Sequence, residues 1–141
     1  MEELLVYALL LYEGIELEEN YHKRLDEMFL ESPTDETLLD LEFISNNIKE
    51  SIVYIRTHFK YDNFEHNVFG KILMEKLKDY YFSTEIKMFA DKMYSLWESL
   101  PGNIQNEQPF FTLCYADEPI SWGDETQTRE LYEAMLNYYE Q

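Results

Sequence analysis

The chain has 141 residues and a formal charge of −18, from 29 acidic and 11 basic side chains, yet 45% of it is hydrophobic and 16% aromatic. Acidic disordered segments lack that apolar content, so the composition implies a compact body with a strongly negative surface, and the length a single domain spanning 1–141. The charge disfavours nucleic acid and anionic membranes as partners, because both attract Lys and Arg, and the lone Cys114 leaves no internal disulfide and fits a reducing cytoplasm.

Leu4 to Tyr12 is an unbroken apolar run. Glu2 and Glu3 stand where an export signal carries Lys or Arg, and the run is far short of the roughly 20 residues of a membrane span, so a buried helix ending near Gly14 is expected. A second helix is expected from about Glu16 to Leu30, with Leu17, Tyr21, Leu25 and Met28 drawing one apolar stripe. Ser32-Pro33-Thr34-Asp35 reads as a helix start, with Ser32 as cap and Pro33 at the first helical position. A third helix follows to about Phe59 on the stripe Leu38, Leu41, Ile44, Ile48, Ile52, Ile55 and Phe59.

Tyr61-Asp62-Asn63 reads as a turn. Phe64, Val68, Ile72, Met74, Leu77 and Tyr81 then mark a fourth helix, and Ile86, Phe89, Met93, Leu96, Trp97 and Leu100 a fifth. Ser83-Thr84-Glu85 leaves open whether these two are continuous, and Pro101-Gly102 ends the second. The stretch from Pro101 to Gly123 carries three prolines and two glycines and is long for a connection. Within it, Pro109 to Tyr115 has strand composition, so an extended segment or short strand is expected there. A last helix begins near Asp124, which with Gln127 has the pattern of a reciprocal cap, and its inward residues are expected to be Leu131, Met135 and Tyr138, with Tyr132 and Tyr139 beside them. The fold class is therefore all-α, an irregular bundle of five to six helices with an extended segment before the last.

No catalytic motif emerges. Glu19-Asn20-Tyr21-His22 has the Glu-x-x-His spacing of di-iron bundles, but no second copy completes it. Nothing local marks Cys114 as an activated nucleophile, and the four glycines form no phosphate loop. No metal or other cofactor is expected, and the 23 aromatics fall mostly on the helical stripes.

The acid is unevenly placed. Residues 1–31 hold nine acidic and two basic side chains and residues 101–141 hold eight and one, whereas the centre is nearly balanced. If the termini pack side by side, as domain termini often do, one face carries most of the excess. Within the second cluster, Asp117-Glu118-Pro119-Ile120-Ser121-Trp122-Gly123-Asp124-Glu125 sets four carboxylates around a tryptophan. Tryptophan dominates many interfaces and carboxylates steer cations; Trp122 could equally plug the core and Gly123-Asp124 merely open the last helix.

In size, charge, missing catalytic motifs and this acidic tryptophan loop, the chain is similar in character to the small, acidic, mostly helical immunity proteins of bacterial toxin–immunity systems, among them those of polymorphic toxins and contact-dependent growth inhibition. That resemblance implies a cytoplasmic, non-enzymatic inhibitor that binds and neutralises a basic toxin or nuclease domain. The partner-contact residues expected from the charge pattern are Asp117, Glu118, Trp122, Asp124 and Glu125, with Glu16 and Glu19 as a second cluster. The alternatives are a nucleic-acid mimic inhibiting a DNA- or RNA-binding enzyme, a scaffold or adaptor without catalytic activity, and an enzyme with a carboxylate-rich pocket.

Overall fold

The computed structural model describes residues 1–58 and 64–140. Phe59 and the expected turn at Tyr61-Asp62-Asn63 lie outside the described residues. Among the described residues the chain forms eight α-helices and no strand: α1 (Glu2–Tyr12), α2 (Glu18–Glu31), α3 (Glu36–Phe43), α4 (Ile48–His58), α5 (His66–Ser83), α6 (Ile86–Ser99), α7 (Glu118–Ser121) and α8 (Glu125–Leu136). Short 3-10 turns occupy Phe110–Cys114 and Tyr138–Glu140. The helices group into two compact units, Met1–Glu65 and His66–Gln141. No helix among the described residues is long and apolar enough to cross a membrane.

In the first unit, α1 is the buried helix its apolar run implies, with Leu4, Leu5, Val6, Ala8, Leu9 and Leu10 all buried. It packs against α2 and α4. Gly14, at φ 75°, turns the chain so that the amides of Ile15 and Glu16 both donate to the Leu10 carbonyl. On α2, Tyr21 and Leu25 are buried, but Leu17 is largely exposed and Met28 only half-buried, so the core-facing stripe is shorter than the pattern implied.

Two expectations fail at the next helix. Ser32 is not the cap. Asp35 is, its carboxylate accepting from the amides of Thr37 and Leu38 at 2.9 and 3.2 Å, while Ser32 closes the preceding turn by accepting from the Asp35 amide. The expected third helix is in fact α3 and α4, separated at residues 44–47. Asn47 makes the break: its side chain accepts from the Glu50 amide at 3.1 Å, and Ser51, fully buried, donates its hydroxyl to the carbonyls of Ile44 and Asn47. A side-chain acceptor on Asn47 and a side-chain donor on Ser51 thus take up backbone groups where the helix would otherwise continue.

In the second unit, α5 and α6 are separate helices, broken after Ser83. The buried face of α6 is the one the period draws, Ile86, Phe89, Met93 and Leu96. On α5 the face lies partly one position on, with Phe69 and Leu73 buried instead of Val68 and Ile72. A chain of aromatic edges ties α5, α6 and α8 together: Tyr81 meets Phe89 with centroids 5.1 Å apart, and Phe89 meets Tyr132 at 4.9 Å, both edge-to-face. Trp97 donates its indole N–H to the Gln105 carbonyl at 2.9 Å, and the Gln105 amide returns a bond to the Trp97 carbonyl at 3.0 Å, which pins the Pro101-Gly102 turn.

The extended segment or strand expected at Pro109 to Tyr115 is a 3-10 turn instead. With no strand among the described residues to pair with, its backbone bonds locally, and Phe110 and Leu113, three apart and so on one edge, enter the core between α6 and α8. The inward face of α8 is Thr128, Tyr132, Met135 and Leu136; Leu131 is half-buried and Tyr138 exposed, a rotation of about one position from the expected face.

Candidate functional site

The acidic tryptophan loop folds as α7 and the turn into α8. Asp117 precedes α7, and Pro119 sits at its start, where a missing amide hydrogen is harmless. The turn is held at both ends by backbone bonds. The amides of Trp122 and Gly123 donate to the carbonyls of Pro119 and Ile120 at 3.1 and 3.0 Å, and the Asp124 amide donates to Pro119 at 2.9 Å. Gly123 takes φ 91°, a conformation costly for any residue with a Cβ. From below, the hydroxyl of Thr128, fully buried on α8, accepts from the Ile120 amide at 2.9 Å. Sequence reasoning did not single out Thr128; as a threonine on the inward face of a helix it carries no separate signal.

On this fixed backbone Trp122 stands 77% exposed. It does not plug the core. Glu118, Asp124 and Glu125 are exposed around it and Asp117 is half-buried. They are not four equivalent carboxylates. Asp124 caps α8, accepting from the Gln127 amide at 3.0 Å; the other half of the expected reciprocal cap is absent because the Asp124 amide is taken by Pro119. Glu125 accepts from the Arg129 guanidinium at 2.9 Å one turn on. Arg129 in turn donates to the Tyr81 hydroxyl at 3.3 Å, and that hydroxyl donates to Glu133 at 3.1 Å. Asp117 and Glu118 therefore carry the charge least committed to holding the helices.

The negative field reaches inward as well. Burial first, and then Asp117 and Glu118, push the Cys114 thiol up, the opposite of what activates a nucleophile. Burial, with Asp117 and Asp91 adding to it, raises the Tyr132 hydroxyl well beyond its ordinary value.

Glu16 and Glu19 belong to the first unit, at the start of α2. Glu16 is half-buried and structural: one carboxylate oxygen accepts from the Leu17 amide at 3.0 Å and from the Asn20 side chain at 2.7 Å. Glu19 is exposed. His22 does not turn to Glu19; its Nε2 lies 3.3 Å from Glu18. No group of three or more metal-ligating side chains occurs among the described residues. The other described histidine near carboxylates, His66, has Nδ1 2.9 Å from Glu107 and Nε2 3.2 Å from the Asn103 amide nitrogen, so both ring nitrogens are engaged in stapling the start of α5 to the loop after α6.

What the turn can do chemically is bind: it offers an indole face and carboxylates on a backbone that loses little freedom on docking. No family model, curated protein or solved structure matches the chain.

Proposed function

We propose that the protein is a cytoplasmic, non-enzymatic binding module, an immunity-type inhibitor that docks a basic toxin or nuclease domain on the Asp117–Glu125 turn. The observation that carries this reading is Trp122, 77% exposed among carboxylates on a turn fixed by Gly123 and Thr128. An exposed tryptophan on a rigid base is the kind of anchor that dominates interface energy, and the surrounding charge selects a cationic partner and speeds encounter. The alternatives of a nucleic-acid mimic and of a scaffold share the binding role and differ in partner.

The immobilised protein, exposed at low salt to extract from its source organism, is expected to retain a basic protein that salt releases. Trp122→Ala is expected to lose that partner. Reversing Asp117 and Glu118 to lysine is expected to slow association about tenfold with little change in unfolding. Retention of no basic protein, or equal retention by all the variants, overturns the reading.

A further inference from the structure

A second surface, in the first unit, goes beyond that reading. Between α3 and α4 lies an open groove of about 460 Å³ whose floor and walls are mostly apolar. Phe43, at the end of α3, is 80% exposed on its rim, and Val53, on α4, is 61% exposed. One wall is rigid: the Tyr54 and His58 rings stack with centroids 3.9 Å apart, the Tyr54 hydroxyl donates to Asp40 at 2.7 Å, and His58 Nδ1 sits 2.9 Å from the Tyr54 carbonyl. The groove lies at the α3–α4 break, with Ile44 from the break and Glu50 from the first turn of α4 in its lining.

Large apolar side chains this exposed, side by side and beside an ordered aromatic wall, mark an interaction site more often than chance. The charge around them decides the occupant. Asp40 and Glu50 line the groove and no Lys or Arg among the described residues does; of the two cations that adjoin lining residues in sequence, Lys49 has its ammonium 5.9 Å from the Tyr12 ring and Arg56, next to Thr57, is exposed on α4. Asp35 and Glu36 lie exposed at the start of α3. A second copy of a chain carrying −18 would bring like charge to a negative rim. We infer that the groove binds an amphipathic helix with a basic polar face: apolar residues one turn apart against Phe43, Val53 and Tyr54, lysines or arginines reaching over the rim to Asp40 and Glu50.

The probe is a synthetic Leu/Lys peptide of about 15 residues, long enough to be helical, with leucines at helical spacing. Its control has the same composition scrambled so that no apolar face forms. Calorimetric titration of the full chain is expected to show saturable one-to-one binding of the patterned peptide and at least about tenfold weaker binding of the scrambled one. Phe43→Ser and Val53→Ser, both at exposed positions that leave the core intact, are each expected to weaken the patterned peptide about tenfold, whereas Trp122→Ala leaves it unchanged. Equal affinity for both peptides reduces the effect to bulk charge and overturns the inference. So does unchanged affinity in the Phe43 and Val53 variants, or a dimer in sedimentation that Phe43→Ser dissociates. Because Trp122→Ala tests the docking turn and Phe43→Ser the groove, the two readings fail separately.

Discussion

Glu42 is a carboxyl whose proton the fold holds near neutrality. Partial burial, and then a hydrogen bond and repulsion from Asp26 on α2, lift it from its ordinary 4.5 to about 7. An acid raised in this way binds its proton more tightly folded than unfolded. Its contribution to stability is therefore complete below about pH 4.5 and is lost as the pH rises through about 7. Glu42→Gln, which keeps the hydrogen bond and discards the charge, is expected to be more stable than the parent at pH 8 by about 1 kcal/mol, allowing for the solvent around the pair, and nearly equal to it at pH 4.5. Urea unfolding at the two pH values checks this; a constant difference across them removes Glu42 as the source. At the same scale, Thr128 illustrates what a sequence does not disclose. A buried hydroxyl that accepts one amide bond looks, in one dimension, like any threonine, and its partner Ile120 lies eight residues away across a turn.

Among the elements, what the sequence disclosed was whatever depended on local chemistry. Gly14 ends α1, Asp124 opens α8, and the face of α6 follows its period. The break between α3 and α4 was hidden because Leu38, Leu41, Ile44, Ile48 and Ile52 keep helical spacing straight through it. The countervailing signal was Asn47, three residues before Glu50, which competes for the backbone without a proline or glycine to announce it. The 3-10 turn at Phe110–Cys114 was hidden for the converse reason: aromatic and β-branched composition reports burial, which Phe110, Thr112 and Leu113 show and Phe111 does not, but backbone form depends on whether a pairing strand exists. Asp124 has two duties that substitution can separate. Asp124→Ala removes the cap of α8 and is expected to cost about 1 kcal/mol in thermal or urea unfolding. Asp124→Asn keeps a capping acceptor and is expected to be nearly neutral in stability, while still slowing encounter with a cationic partner. A large stability loss in the asparagine variant contradicts the assignment of its role to the side-chain acceptor.

For the whole molecule, 18 excess negative charges impose a repulsion that the two compact cores must offset. Salt acts on that repulsion directly, since the screening length falls to about 10 Å at 0.1 M. The melting temperature is expected to rise by several degrees between about 10 mM and 0.3 M sodium chloride, while capture of a basic partner weakens over the same range. Scanning calorimetry checks the first trend, and a melting temperature that is flat or falling with salt contradicts it. The candidate site was legible as a stretch of residues but not as a surface. Composition gave an acidic tryptophan loop with two opposite fates for Trp122; the local turn bonds at Pro119 and Ile120, with Thr128 from α8, hold the backbone in an orientation that leaves the indole exposed. That orientation gives the protein a built-in optical contrast. Of its two indoles, Trp97 is partly sheltered and bonded through its N–H, whereas Trp122 faces water beside carboxylates. The red edge of the emission spectrum accordingly belongs to Trp122, and caesium, drawn in by the surrounding anions, quenches it more efficiently than iodide, which they repel.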